Sequence, residues 1–253
     1  MLITIKKIIF IGFFILSTPS IAQKITTIKM PSGEDIELRI FPAKGNVLLL
    51  GFPCDFGKSK NEESVAKSLS EDGLEVWMPD ILSTYMLPKV RSSYAKIKNE
   101  DLVRIVQKAI KTGKDIYLIA SGAGTQLALR AAAKWHEKYQ NSDGLKGLIL
   151  LFPRLNSAEP IPGVKPKYVS AVGTTKKPIM ILEGGRTPNK WGLKHLSMKL
   201  SAGGSKVISK VIPDIRGYFF KRKDPNRTED MVTSELSGLI KVSLFYLQKG
   251  ILE

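Results

Sequence analysis

Short, nearly continuous apolar runs alternate along the chain with longer segments in which apolar residues recur at helical spacing. Continuous apolar runs of four to eight residues are typical of strands that are buried on both faces of a parallel sheet. These runs predict strands at 26–30, 36–41, 47–51, 74–78, 116–120, 147–152, 179–182 and 206–212. The amphipathic segments predict helices at 61–70, 100–112, 123–140, 190–200 and 228–249. This alternation predicts an α/β fold with one doubly wound sheet, whose first two strands form a hairpin around Pro31-Ser32-Gly33.

The first 22 residues have the pattern of a secretory signal peptide. Lys6 and Lys7 precede an apolar run at 8–16, and small residues end at Ala22. The run is shorter than the roughly 20 residues that span a bilayer, so we expect cleavage after Ala22, with a retained anchor as the alternative. No Pro-Gly-Ser linker divides residues 23–253, which predicts one exported domain, periplasmic or secreted, that is not an integral membrane protein.

Composition narrows the candidate chemistry. The chain carries 39 Lys and Arg against 23 Asp and Glu, a formal charge of +16, which favours anionic partners. Basic residues cluster with aromatic ones at 206–227, and export makes lipid headgroups or acidic glycans the expected polyanions rather than nucleic acid. Two His and one Cys, Cys54, predict no metal site and no internal disulfide. No glycine-rich phosphate fingerprint is present, and we expect no cofactor.

Three landmarks, in order, resemble the α/β-hydrolase superfamily. The strand at 47–52, followed by a helix and by 72–80, resembles that superfamily's third and fourth strands. Residues 116–124 run from a strand into a small-residue turn and an Ala-rich helix, the setting of its nucleophile elbow. Residues 178–188 resemble the strand and turn that carry the acid. The resemblance implies a single-domain α/β-hydrolase fold with a mostly parallel sheet, and the connection at 153–178 is too short for a large lid.

The same resemblance implies that the catalytic triad is substituted. In the G-x-S-x-G register, Ala120 and Gly124 take the glycine places and Gly122 takes the place of the serine. Thr187 then stands where the acid is expected, and Gly217 where the histidine is expected. We therefore expect a degenerate site with no catalytic residue, in a protein that binds a small-molecule or acyl-type ligand or an envelope protein partner.

The backbone of such a site could still bind a ligand. The Ala123 N–H and a helix N-terminus would attract an anion or a carbonyl group, with Phe52 and Cys54 opposite, and Arg91 could clamp a carboxylate. The expected ligand-binding residues are Phe52, Cys54, Ser121, Gly122, Ala123, Arg91, Thr187 and Gly217.

Two alternatives stay open. In the first, the protein is an active esterase or acyl hydrolase whose nonstandard nucleophile is Ser121 or Cys54. In the second, it is a basic envelope-binding protein, which requires Lys221, Arg222 and Lys223 to share one exposed face. The remaining candidates are expected to be ordinary structural residues: His136 and His195 within helices, and Trp77, Trp135 and Trp191 in packing.

Overall fold

The computed structural model describes residues 23–54, 60–140, 142–161 and 163–250. The predicted signal peptide, residues 1–22, lies outside the described residues. The described residues include strands β1 (Lys24–Lys29), β2 (Asp35–Phe41), β3 (Val47–Phe52), β4 (Glu75–Pro79), β5 (Asp115–Ser121), β6 (Leu145–Leu151), β7 (Ile179–Gly184) and β8 (Val207–Ile212). Each of the eight predicted strands is therefore confirmed.

These strands pair into one sheet in the order β1-β2-β4-β3-β5-β6-β7-β8. β1 and β2 are antiparallel and form the predicted hairpin, closed by a hydrogen bond from the Gly33 N–H to the Met30 carbonyl. β2 is also antiparallel to β4, and every other neighbouring pair is parallel. The sheet is thus mostly parallel, so the carboxyl ends of β3, β5, β6, β7 and β8 meet at one edge.

Helices cover both faces of the sheet. They are α1 (Lys60–Glu71), α2 (Ile81–Thr84), α3 (Asn99–Ile110), α4 (Thr125–Lys138), α5 (Leu193–Ala202), α6 (Arg227–Ser234) and α7 (Leu236–Lys249). Short 3₁₀ turns lie at Arg91–Lys96, Gly122–Gly124, Ser170–Gly173, Pro188–Gly192 and Phe219–Lys221. A mostly parallel sheet buried between two helical layers is the single-domain α/β architecture that the apolar pattern predicted.

The two core layers follow from the alternation of side chains along each strand. In β3, Leu48 and Leu50 pack with α3, α4 and α5, whereas Leu49 packs on the opposite face with α1 and α7. All three leucines are completely buried. Because each layer needs its own apolar residues, the parallel strands read as unbroken apolar runs rather than as alternating ones.

The structure differs from the predicted helices at two places. The helix predicted at 228–249 is two helices, α6 and α7, separated at Glu235. The N–H groups of Glu235 and Leu239 still donate to carbonyls four residues back. The helical spacing of apolar residues therefore continues across Glu235. α2 was not predicted because four residues are too short to show a helical period. In the described part of the connection between β6 and β7, the only helical element is a 3₁₀ turn, which confirms the absence of a large lid.

Candidate functional site

A sharp turn joins β5 to α4, and we call Ser121–Gly124 the β5 turn. Gly122 has φ +55°, a backbone conformation that side chains disfavour. Its carbonyl accepts hydrogen bonds from Thr125 Oγ1 at 2.6 Å and from the Arg154 N–H at 3.2 Å. A Cβ atom at Gly124 would overlap the Pro53 carbonyl oxygen and lie 3.0 Å from its carbon. Gly124 is therefore required by the close approach of the Pro53 backbone, and Gly122 is favoured by its left-handed backbone conformation.

The phenol ring of Tyr218 fills the space in front of the β5 turn. A Cβ atom at Gly122 would overlap Tyr218 Oη and lie 2.5 Å from Cζ, closer than real Cβ atoms approach. Tyr218 itself has φ +57°, an unusual conformation for a tyrosine. The place that a side chain at residue 122 would occupy is thus taken by a residue of the segment that follows β8.

The structure brings Thr187 and Gly217, two of the predicted site residues, together. A Cβ atom at Gly217 would lie 3.5 Å from Thr187 Cγ2, so the segments that follow β7 and β8 are in contact. Tyr218 follows Gly217 and covers Gly122. Gly122, Thr187 and Gly217 therefore lie at the same edge of the sheet, in one region of the molecule.

Glu183 is a buried carboxylate beside this cluster that the sequence analysis missed. Its Oε1 accepts hydrogen bonds from Thr187 Oγ1 at 2.7 Å and from the Gly184 N–H at 2.9 Å. Burial raises the pKa of Glu183, and these two hydrogen bonds oppose that shift. In the sequence, the one sign of this buried carboxylate is that Glu183 directly follows the apolar residues of β7. The Thr187 hydroxyl is consequently part of a buried contact with Glu183.

The segment that follows β8, residues 213–226, is here called the β8 loop. Its Arg216 binds Glu229 of α6: Nε donates to Oε1 at 2.8 Å and Nη2 to Oε2 at 2.5 Å. Glu229 is 0% exposed and also forms a capping box with Asn226. The Arg216 guanidinium lowers the pKa of Glu229 to about 2, and Glu229 raises the pKa of Arg216. The β8 loop is thus tied to α6 by a buried carboxylate.

Cys54 lies in a second polar cluster at the end of β3. Lys221 Nζ donates to Cys54 Sγ at 2.9 Å and pairs with Glu62 Oε2, also at 2.9 Å. Cys54 is 1% exposed and the Lys221 side chain 4% exposed. Arg222 pairs instead with Asp224 at 3.3 Å. Lys221, Arg222 and Lys223 therefore do not share the exposed face that envelope binding through this triplet requires.

Four other predicted binding residues, Phe52, Ser121, Ala123 and Arg91, differ in burial and in contacts. Phe52, Ser121 and Ala123 are buried. Arg91 donates to the Asn156 carbonyl and to Glu159 Oε1 at 3.1 Å, so it holds the segment after β6. The structure therefore gives Arg91 protein partners of its own.

The histidines and tryptophans follow the predictions with one exception. His136 lies in α4 and His195 in α5, as predicted. Among the described residues, the hydrogen-bond partner of His195 is Tyr168, at 3.2 Å. The prediction that Trp191 packs is wrong, because its side chain is 83% exposed with Lys190 Nζ 4.9 Å from the ring. Trp191 follows Pro188 in a surface 3₁₀ turn, where no layer of the core reaches it.

A cavity of about 130 Å³ lies between the sheet and helices α1 and α7. Its lining includes Phe52 and Ser121, so it adjoins the β5 turn. Gly122, Thr187 and Gly217 are not among the described residues that line it. The site region therefore has two parts: the contact between Tyr218 and Gly122, and a neighbouring cavity beneath α1.

Over the described ranges, no group of three His, Cys, Asp or Glu residues could hold a metal ion. None of the helices in that part of the chain is long and apolar enough to cross a membrane.

Comparisons with known proteins return structural matches. No protein-family model matches the chain. No curated protein matches it. The dienelactone hydrolase from Anabaena variabilis has a TM-score of 0.62 at 16% identity, with 87% of this chain and 98% of that chain covered. EstE1, a thermostable carboxylesterase from a metagenomic library, has a TM-score of 0.64 at 12% identity, covering 94% and 92%.

A third match is the esterase from Pyrobaculum calidifontis, with a TM-score of 0.62 at 15% identity, covering 88% of this chain and 86% of that chain. All three proteins are named as ester or lactone hydrolases, and each is matched over nearly its whole length. At these identities the likeness concerns the fold. Together with the strand order and the β5 turn, it shows that the chain has the α/β-hydrolase fold.

Proposed function

We propose that this chain is an exported, non-catalytic binding protein of α/β-hydrolase fold, which holds a small-molecule or acyl-type ligand or a protein partner in the periplasm. The observation that carries the proposal is the position of Tyr218. Its phenol lies where the Cβ atom of a side chain at residue 122 would stand, so a nucleophile there would require the ring to move. Export after Ala22 is supported by the signal-peptide pattern of residues 1–22.

The chemistry of the three positions supports the same proposal. Glycine at 122 offers no nucleophile, and glycine at 217 offers no base. The Thr187 hydroxyl donates to Glu183 and carries no charge with which to orient an imidazole. In subtilisin, removal of the whole triad lowers turnover about 2 × 10⁶-fold and leaves only the effect of the oxyanion hole and of substrate binding. We therefore expect ester turnover about a million-fold below that of an esterase with an intact triad.

An active ester hydrolase is the second candidate function, and one contact favours it. Lys221 Nζ lies 2.9 Å from Cys54 Sγ, and a neighbouring cation is one of the features that activates cysteine nucleophiles. The structural matches are themselves named as hydrolases. Against this candidate, Cys54 is almost completely buried, and Lys221 also pairs with Glu62. Ser121 is buried as well and precedes the residue at the centre of the β5 turn.

Hydrolysis of p-nitrophenyl acetate and p-nitrophenyl hexanoate by residues 23–253 tests the proposal. We expect background rates for this protein and for its Cys54→Ala and Ser121→Ala variants. An esterase with an intact triad, assayed in parallel, is the positive control. Turnover well above background that is lost in one of the two variants would contradict the proposal and identify the nucleophile.

A further inference from the structure

The cavity beneath α1 is large enough for one small organic molecule. Its volume is about 130 Å³. An apolar cavity of about 150 Å³ in another protein stays dry and binds benzene, so the present cavity matches one small ring or a chain of about six carbons. It lies between β3, β4 and β5 on one side and α1 and α7 on the other, apart from the space that Tyr218 fills.

The inner part of the cavity is apolar. Leu49 and Val76 contribute from the sheet, Leu69 from α1, and Leu236 and Ile240 from α7, and all five are buried. Water in such a space would lack hydrogen-bond partners, whereas a hydrocarbon group loses nothing by entering it. We therefore expect these residues to contact the apolar part of a ligand.

One charged residue of the lining has an unused hydrogen-bond donor. Arg39 of β2 has a side chain that is 8% exposed, and its Nη1 donates to Glu63. Among the described residues its Nε–H has no acceptor, although the atom is buried. A buried guanidinium N–H without an acceptor is costly, and a ligand oxygen would satisfy it. The Nε and Nη groups of arginine form a fork that suits a carboxylate.

Other charged groups also line the cavity. Lys89 adds a second cation to the lining, and Asp80 and Glu62 add two carboxylates. Glu62 is paired with Lys221, so its charge is already compensated. Arg39 pairs with Glu63, but its Nε–H is the buried donor of this lining that has no acceptor among the described residues, and we therefore expect it to receive the polar end of the ligand.

We propose that this cavity binds a small monocarboxylate with an apolar body of about six carbons, and that Arg39 receives the carboxylate. The inference rests on the proposed binding function and names its ligand class. A linear or aromatic body satisfies the apolar walls equally, so hexanoate and benzoate are the probes.

Calorimetric titration of residues 23–253 with hexanoate, benzoate, hexan-1-ol and hexylamine tests this assignment. We expect saturable one-to-one binding of both carboxylates, at least tenfold weaker binding of hexan-1-ol, and no binding of hexylamine. Arg39→Gln, which keeps the length of the side chain, is expected to weaken hexanoate binding at least tenfold. The matched control is Arg104→Gln on α3, outside the cavity lining, which is expected to bind hexanoate as the unaltered protein does.

A second variant keeps the test informative if Arg39→Gln unfolds the protein. Ala66 of α1 is buried and lines the cavity, so Ala66→Leu fills part of the space without touching a charge. We expect it to weaken the binding of hexanoate and of hexan-1-ol together. Thermal unfolding of each variant establishes that it is folded before it is titrated.

The outcomes separate this inference from the proposed function. Equal hexanoate binding by the unaltered and Arg39→Gln proteins, or tighter binding of hexan-1-ol, would overturn the carboxylate assignment. No binding of any probe at millimolar concentration would overturn the cavity as a ligand site. Ester turnover above background together with Arg39-dependent hexanoate binding would reject the non-catalytic proposal and leave the cavity site standing.

Discussion

The β5 turn and the β8 loop meet in front of Gly122, yet they are held by different interactions. The β5 turn is kept by backbone contacts: the left-handed Gly122, its hydrogen-bonded carbonyl and the approach of Pro53 to Gly124. The β8 loop is kept by side chains, above all by the pairing of Arg216 with the buried Glu229. One region depends on the absence of side chains and the other on their charges.

The difference bears on the proposed function. At the β5 turn, the Pro53 backbone leaves no room for a side chain at Gly124, and the left-handed Gly122 is held through its carbonyl by Thr125. In the β8 loop, Tyr218 covers Gly122 two residues after Arg216, whose ion pair with Glu229 ties the loop to α6. On the proposed function, the fold therefore keeps the shape of a nucleophile turn while the neighbouring loop occupies it.

The largest effect is expected for the β8 loop when the charge on Glu229 is removed. Glu229→Gln keeps the side-chain volume but removes the buried carboxylate that accepts hydrogen bonds from the Arg216 guanidinium and from the Asn226 N–H, so we expect the largest loss of unfolding free energy here. Urea unfolding at pH 7 measures the loss. The matched control is Asp224→Asn, which removes the exposed partner of Arg216 and is expected to change stability far less.

Acid unfolding gives a second check on the same pair. The pKa of Glu229 is held at about 2, below its usual value of 4.5, so its stabilising charge is fully present above pH 4.5 and is lost as the pH falls through about 2. The unaltered protein is therefore expected to lose more stability than Glu229→Gln between pH 5 and pH 2. Parallel pH profiles of the two proteins would contradict the assignment.

A smaller effect is expected at the β5 turn. Gly122→Ser places a Cβ against the Tyr218 ring in a left-handed conformation, and overpacking plus backbone strain cost about 2 kcal/mol together. In a Tyr218→Ala background only the strain remains, about 1 kcal/mol. Urea unfolding of the four proteins of this double-mutant cycle measures the coupling.

The control for strain alone is Gly113→Ser. Gly113 has φ +77° and no atom within 4 Å of an added Cβ, so its substitution is expected to cost about 1 kcal/mol. If Gly122→Ser cost the same amount with and without the Tyr218 ring, Tyr218 would not be what fills the space at residue 122.

The smallest effect is expected at Glu183, beside both regions. Burial raises its pKa in the folded protein, so its contribution to stability is present below the ordinary pKa of an unfolded glutamate and is lost as the pH rises through the raised value. Glu183→Gln keeps an oxygen to accept from Thr187 and Gly184 and cannot ionise. We expect its stability relative to the unaltered protein to increase from pH 4 to pH 7, measured as urea midpoints. A difference that is independent of pH would show that Glu183 does not titrate differently on folding.

The strands and their order along the chain could be predicted because their signal is local. A run such as Val47–Phe52 is apolar on both faces, and that property requires burial between two layers wherever the strand lies. The bend at Glu235 could not be predicted, because the helical spacing of apolar residues continues through it. Trp191 was assigned to packing from its residue type alone, whereas its exposure depends on where the turn after β7 leaves the surface.

Likewise, the sequence predicted which residues stand at the β5 turn, but it did not predict which side chains surround them. The small-residue turn at 120–124 was sufficient to place Gly122 at the centre of the β5 turn, because that pattern joins neighbouring residues. Three contacts of the site could not be predicted in this way, because a loop conformation or a long separation along the chain decides them. They are the contacts of Lys221 with Cys54, of Glu183 with Thr187, and of the Tyr218 ring with Gly122. Local periodicity and turn chemistry thus determined the elements and their class. Which side chains fill the site was decided by tertiary packing, because contacts between separate loops depend on how the whole sheet places their ends.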